Sequence, residues 1–340
     1  MQKILDEILE ANRTSAPFSL SNELKKEIIG VSEFSVPDLT CSVLAGTKFS
    51  EFQNELSEAN QFFPLISPKD STIGGLVAGN FRGFYQKKYG SFRDNILGLK
   101  FITGSGKVAK AGGKVVKNVA GYETIKLLIG SYGTLAILTE ITLRTYAKPQ
   151  TESLLIFENS ELSEILKVAN FCRNEFLPCD TLEITNEDSF KLYCGFSGMT
   201  EEVQNFVEIL KDKFSKDLIE EIGKSLNKRK MLSELTDKFY TDNFAFKIIT
   251  SVTNSKKMLG RISESFRLDF LTGTFLVISE NINYEKFVSL KKEFKYNLKK
   301  SRFSNELLLP RNKSTPEQNL ILNLKQKFDP NGILNPTSIL

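Results

Sequence analysis

The sequence predicts an α+β protein of two domains, and three observations carry that expectation. Its 340 residues exceed the roughly 150 typical of one domain, and a 41% apolar content is enough for more than one core. Thirteen of the 21 glycines fall between Gly74 and Gly133, which marks that stretch as turn-rich or shaped around a ligand. Beyond Pro149 the pattern changes to strands alternating with amphipathic helices, in a β-α-β order that repeats once.

The elements of the first part follow from spacing. Ile4, Leu5, Ile8 and Leu9 predict a helix from Met1 that ends near Asn12. Cys41–Ala45 reads as a strand, and Phe49, Phe52 and Leu56 give an apolar face to a helix over Phe49–Ala59. Leu97–Thr103 is a strand that turns through Gly104-Ser105-Gly106 into another. Tyr122–Ile129 is helical, Thr134–Tyr146 is a long β-rich run, and Pro149 closes a first domain of residues 1–149.

The second part, residues 150–305, begins with strands Ser153–Phe157, Thr181–Thr185 and Phe190–Gly195 and helices Glu161–Phe176 and Glu201–Phe214. The repeat brings strand Phe244–Ser251, helix Asn254–Ser265, strands near Leu268 and over Phe275–Ser279, and helix Tyr284–Leu298. Two such sets predict an antiparallel sheet with helices on one face, in ferredoxin-like β-α-β units. A last helix starts at Gln318 and runs into a Pro/Gly/Asn-rich ending, FDPNGILNP.

Composition excludes several chemistries. The chain has no histidine, so it offers no Ser-His or Cys-His nucleophile, no imidazole base and no histidine-ligated metal or histidyl-linked flavin. Lys+Arg 45 against Asp+Glu 41 leaves a net charge of +4 with the signs interleaved, which is no footprint for nucleic acid or an anionic membrane. Cys41, Cys172, Cys179 and Cys194 form no C-x-x-C pair and no ferredoxin spacing, so they read as buried thiols and not as a metal or cluster set. With Asp6 and Glu7 in its opening, no signal-like apolar segment and no membrane-length run, the chain reads as cytoplasmic and at most peripheral to a membrane.

The glycine block fails two phosphate-binding patterns. Gly106-Lys107 is followed by Val108, and Phe101 stands where a P-loop needs its first glycine. Gly104-x-Gly106 has Ala109 where a dinucleotide fingerprint needs its third glycine. Four segments remain: SPKDSTIGGLVAGNFRG (Ser67–Gly83), YGSFRDNILG (Tyr89–Gly98), KNVAGYE (Lys117–Glu123) and GSYGTLAILTE (Gly130–Glu140).

In this order and spacing they resemble the FAD-binding domain of the vanillyl-alcohol oxidase and PCMH-type flavoprotein superfamily, and within it the FAD-binding (E) subunits of bacterial glycolate oxidases. FDPNGILNP resembles that family's C-terminal signature. The motif likeness covers about residues 64–149 and 318–336. It implies a PCMH-type FAD-binding domain of two α+β subdomains in residues 1–149, a cap domain over 150–305, and a segment 306–340 that returns to the FAD domain.

The resemblance also implies noncovalent FAD held by Ser71, Thr72, Gly74, Gly75, Ala78 and Asn80 in the first segment. In the fourth it implies Gly130, Ser131, Gly133, Thr134, Leu135 and Ile137. The chemistry suits those residue types, since hydroxyls, an amide and backbone N–H groups unblocked by side chains can meet a diphosphate and a flavin edge. Tyr89, Asp94, Asn118 and Tyr122 read as braces for the loops. One departure stands out: Ala16–Lys26, where relatives carry a glycine-bearing diphosphate loop, has no glycine and offers only Ser19, Ser21 and Asn22 as donors.

The activity implied is that of a subunit of a multi-component oxidase or dehydrogenase of a short 2-hydroxy acid, glycolate by resemblance. A companion flavoprotein subunit would oxidise the substrate, and an iron–sulfur subunit would take the electrons. A scaffold that has lost its flavin and a self-sufficient FAD oxidoreductase are the other two readings. The cap domain offers Arg173, Arg261 and Arg267 as carboxylate clamps, and nothing in the sequence singles one out.

Overall fold

A computed structural model describes residues 1–113, 124–186, 188–223, 225–241, 245–278, 297–300 and 316–335. They divide into two units. The first comprises Met1–Arg82, Gly90–Lys148 and Asn305–Leu340; the second comprises Gly83–Tyr89 and Pro149–Ser304.

The chain opens with α1 (Gln2–Thr14) and α2 (Asn22–Lys26), then β1 (Val31–Ser35), β2 (Thr40–Leu44), α3 (Phe49–Glu58), β3 (Gln61–Phe62) and α4 (Ile73–Ala78). After α5 (Gln86–Tyr89), which lies in the second unit, come α6 (Phe92–Asn95), β4 (Ile96–Thr103), β5 (Val108–Gly112), α7 (Thr124–Leu128), β6 (Ala136–Arg144) and β7 (Tyr146–Ala147). An antiparallel sheet of order β1-β2-β6-β4-β5 forms the frame of the first unit, and β3 pairs with β7 beside it. The apolar face of α3 seats Phe49, Phe52 and Leu56 in the core, where Phe49 and Phe52 each meet the Phe63 ring at 6.3 Å. Helix α1 runs two residues past Asn12, because Ser15 adopts the left-handed conformation (φ 52°) that ends it.

The second unit contains β8 (Thr151–Asn159), α8 (Leu162–Asn174), β9 (Thr181–Asn186), β10 (Phe190–Gly198), α9 (Thr200–Phe214) and β11 (Leu218–Ile222). Then follow α10 (Ser225–Thr241), β12 (Ala245–Ile249), α11 (Val252–Leu259), β13 (Ser265–Asp269), β14 (Thr274–Ile278) and β15 (Asn297–Lys300), with α12 (Pro316–Phe328) returning to the first unit. All eight strands form one antiparallel sheet, β11-β8-β10-β9-β13-β14-β12-β15. Each half places its strands in the order fourth, first, third, second, so the unit is two ferredoxin-like repeats joined edge to edge at β9 and β13.

Alternation along the strands assigns the two faces. Leu155, Phe157, Leu192, Phe196, Phe266 and Phe275 pack with α8, α9 and α11 into one apolar core. The thiols of Cys172, Cys179 and Cys194 sit in that core, with Cys194 Sγ 3.8 and 3.7 Å from the other two.

Two predicted helices change. Residues 284–296 lie outside the described residues, but Leu298 belongs to β15, because the second repeat needs a fourth strand to pair with β12. The helix expected over Asn254–Ser265 is α11, which starts where Ser251 caps it and stops at Gly260, leaving Ser265 to begin β13. The final helix ends at Phe328, well before Pro336.

Helix α10, unmarked in the sequence reading, is pinned through a fully buried ion pair. Lys228 Nζ donates to both carboxylate oxygens of Asp180 at 2.8 Å and to the Phe196 carbonyl at 3.0 Å. Gly195 makes the room: a Cβ there would stand 2.8 Å from Asp180 Oδ1 and 3.0 Å from Lys228 Cε. Removing one partner strands the other charge in the interior. Lys228→Met is therefore expected to cost about 3–5 kcal/mol, and the double variant Lys228→Met/Asp180→Leu to recover most of that loss, as read from denaturant melts of each protein.

Candidate cofactor site

The first predicted segment folds around the entry of α4. Thr72 caps the helix, its Oγ1 accepting from Gly75 N at 3.2 Å. Ile73 N donates to the Thr47 carbonyl (3.0 Å), Gly74 N to the Ala45 carbonyl (2.8 Å) and Leu76 N to the Thr72 carbonyl (2.9 Å). A Cβ on Gly74 would lie 2.8 Å from both the oxygen and the Cβ of Ala45, so only glycine lets α4 approach β2 this closely. The first four N–H groups of α4 are thus bonded within the protein.

The fourth segment docks on the other end of the same helix. Gly130 N donates to the Val77 carbonyl (3.2 Å) and Tyr132 N to the Ala78 carbonyl (2.9 Å). Asn80, itself at φ 46°, stands with its Cβ 3.1 Å from where a Gly130 Cβ would be. Inside the turn, Ser131 Oγ donates to the Leu128 carbonyl (2.8 Å) and Thr134 Oγ1 to the Ser131 carbonyl (2.6 Å). Leu135 and Ile137 are buried, with Ile137 opposite Ile102 in the β6–β4 ladder.

The C-terminal segment closes the other side of that turn. Lys325 Nζ donates to the Thr134 carbonyl (2.6 Å), the Leu334 carbonyl (2.7 Å) and Asp329 Oδ2 (2.6 Å). Asp329 in turn accepts from Ile333 N and Leu334 N, and Asn335 Nδ2 donates to the Tyr132 carbonyl at 2.7 Å. Gly104 leaves space for this tail, since a Cβ there would come within 2.2 Å of Asp329 Oδ1.

The remaining predicted residues sort themselves. Asp94 braces its loop by accepting from Ser91 N and Oγ at 2.7 and 2.6 Å. Tyr89 lies in the second unit, and Asn118 and Tyr122 lie outside the described residues. Of the donors proposed for Ala16–Lys26, Ser21 caps α2 by accepting from Leu24 N, and the Asn22 side chain accepts from Lys25 Nζ. The chemistry left over suits FAD. Among the described residues, buried Ser71 Oγ has no hydrogen-bond partner and the half-buried Asn80 amide makes no bond. Gly130 and Gly133 expose backbone at positive φ (80° and 71°).

Residues 17–112 match the family model described as FAD binding domain. Over this stretch the chain is similar to FAD-binding domains. It is 34% identical over 145 residues to glycolate oxidase subunit GlcE of Escherichia coli (strain K12), covering 42% of this chain and 41% of that protein. It is 38% identical over 120 residues to the mitochondrial D-lactate dehydrogenase [cytochrome] of Arabidopsis thaliana, covering 35% of the chain and 21% of the relative. Glycolate oxidase subunit GlcD of Bacillus subtilis (strain 168) is 35% identical over 140 residues, 40% of the chain and 30% of the relative. The matched stretch spans about two fifths of these relatives' length or less. A solved structure of alkyldihydroxyacetonephosphate synthase superposes with TM-score 0.70 at 16% identity, over 99% of this chain and 74% of that one, which extends the fold likeness through the second unit. The cofactor that this family match indicates is FAD.

The second unit has polar chemistry that the sequence reading missed. On β9, Leu182 and Ile184 enter the apolar core while Thr181, Glu183 and Thr185 share the opposite face, and all three are buried. Glu183 Oε2 lies 3.3 Å from Arg267 Nε, and the Arg267 guanidinium stands 4.3 Å over the Phe84 ring. Among the described residues, the hydroxyls of Thr181, Thr185 and buried Tyr85 and the Arg267 Nη1 find no hydrogen-bond partner. Arg267 is thereby distinguished from Arg173, which faces the Phe270 ring at 5.8 Å, and from exposed Arg261. The available signal was a carboxylate between two threonines at period two in an otherwise apolar strand. A shallow cleft lined by Glu220, Glu221, Lys230, Met231 and Glu234 contains none of these groups.

Burial pushes the Glu183 carboxyl up to about 8, outweighing the attraction of Arg267, and Asp269 adds to the rise. A folded-state value above the ordinary 4.5 means that the folded protein holds a proton the unfolded chain releases. The stability this gives is complete below about pH 4.5 and is lost as pH rises through about 8. Glu183→Gln removes that dependence. Its melting temperature relative to the parent is expected to rise by several degrees between about pH 5 and pH 9; a constant difference would mean that Glu183 stays ionised.

Proposed function

We propose that the chain is the FAD-binding subunit of a multi-component oxidase or dehydrogenase of a short 2-hydroxy acid such as glycolate. The observation that carries this reading is a chain of contacts between sequence-distant pieces, the 130–134 turn docking on the helix of segment 71–80 and residues 325–335 on that turn, with Ser71 and Asn80 making no side-chain bond to the described residues. The names of the relatives support the substrate class.

In this reading FAD, when bound, supplies a redox group that passes electrons on toward an iron–sulfur partner. Ser71 and Asn80 hold polar groups of the cofactor, and the 130–134 turn presents backbone along it. Residues 150–305 form the cap. Taking the proton from the substrate hydroxyl requires a base, and the chain has no imidazole to serve as one. Substrate oxidation then falls to a companion flavoprotein subunit, an iron–sulfur subunit receives the electrons, and any membrane contact comes through those partners. No helix among the described residues is long and apolar enough to cross a membrane.

One observation favours a second reading, a scaffold subunit that has lost FAD. The N–H groups opening α4 are all bonded within the protein, so these donors are not offered to a diphosphate. Purification of the assembled complex and of the isolated chain separates the outcomes. The first reading predicts flavin in the chain and glycolate turnover with an artificial acceptor only in the complex. Turnover by the isolated chain would overturn the division of labour, and flavin absent from the chain even after coexpression with its partners would favour the scaffold.

A further inference from the structure

We infer that Lys325 is a positioning residue for FAD: through the Thr134 carbonyl it fixes the 130–134 turn, making residues 325–335 a clasp on which flavin retention depends. The inference rests on the site proposed above and assigns its control to a stretch of chain about 190 residues further on.

An ammonium has three N–H donors, and Lys325 commits all of them, to Thr134 O, Leu334 O and Asp329 Oδ2 at 2.6–2.7 Å. Asp329 is buried and has both oxygens occupied, Oδ1 by Ile333 N (3.0 Å) and Oδ2 by Leu334 N (2.8 Å) together with Lys325. The ammonium is therefore held from the tail side, and its bond to Thr134 is the one that reaches the turn. Tyr132, next to Gly133, is half exposed and sits at φ 52°, an unfavourable conformation for an aromatic residue. Such a conformation persists only where surroundings enforce it. Here Ala78 O accepts the Tyr132 N–H on one side, and Asn335 Nδ2 engages the Tyr132 carbonyl on the other. The Gly133 position has no room for a side chain without moving Asn335, whose Nδ2 would be 3.0 Å from the new Cβ. The tail is itself anchored at a distance from the turn, by Phe18 N to the Ile333 carbonyl (2.8 Å) and Gly104 N to the Phe328 carbonyl (3.0 Å), so it forms a fixed support.

The test uses the full chain with FAD added, comparing Lys325→Met, Lys325→Arg, Asn335→Ala and Gly133→Val. The readouts are FAD affinity by fluorescence titration, the visible absorbance spectrum of bound flavin, and the melting temperature of the apo protein. Lys325→Met is expected to weaken FAD binding by about tenfold or more, as befits loss of a charge-assisted hydrogen bond, Asn335→Ala to weaken it severalfold through loss of the bond to the Tyr132 carbonyl, and both to shift the flavin spectrum. Lys325→Arg should recover part of the affinity. Asn335 is near the surface, so its variant should keep the parent apo melting temperature, which separates positioning from loss of fold should Lys325→Met unfold. If Gly133→Val loses FAD while Lys325→Met and Asn335→Ala bind it like the parent, the clasp is refuted and the site stands. If Gly133→Val also binds FAD normally, the site itself is refuted and the clasp with it.

Discussion

The close approach of α4 to β2 is the constraint on which the site depends. Ala45 bonds in two directions, its N–H to the Thr139 carbonyl of β6 and its carbonyl to the Gly74 N–H, so sheet and helix entry are fixed by one residue. A side chain at position 74 would collide with it. With its entry fixed, α4 offers the carbonyls of Val77 and Ala78 at its far end, and these seat the 130–134 turn. The tail then completes the turn. Backbone hydrogen bonds supply most of this order, which explains why glycines and small residues dominate the segments involved.

That hierarchy also explains what the sequence could and could not convey. Period-two and helical spacing located β2, α3, β4, β6 and the first three strands and both helices of the first ferredoxin-like repeat to within a few residues, because each buries one face in a core, but not its fourth strand β11, whose residues are mostly exposed. The repeat itself was readable, and its strand order confirms it. Helix α10 escaped notice because Lys228, Arg229 and Lys230 open it with charge; that Lys228 is buried depends on Asp180 and on the missing side chain of Gly195, which no local pattern encodes. The strand β15 was hidden in the same way, since its pairing with β12 is a tertiary fact.

Glycine clustering marks the stretch of chain that builds the candidate site but not the division of tasks within it. Gly74 serves packing, Thr72 serves as a cap, and Ser131 and Thr134 bond inside their own turn, whereas Ser71 and Asn80 remain uncommitted. Types and spacing are the same for both kinds of residue, and only the hydrogen-bond partners distinguish them. The likeness of FDPNGILNP to a family signature was visible in sequence, and its physical reason, a buried aspartate joining Lys325 to two backbone N–H groups, was not. The absence of histidine keeps its weight throughout, since a flavin-binding chain without an imidazole is suited to holding and coupling a cofactor more than to deprotonating a substrate.

The central claim is that this fold, with the N–H groups opening α4 bonded within the protein, still holds FAD. Equilibrium titration of the flavin-free chain with FAD, followed by quenching of flavin fluorescence, tests it most directly. The account predicts saturation at one FAD per chain, with a shift in the flavin absorbance bands on binding. A fluorescence signal that rises in proportion to added FAD without saturating, both for the chain alone and for the chain assembled with its partners, would contradict it.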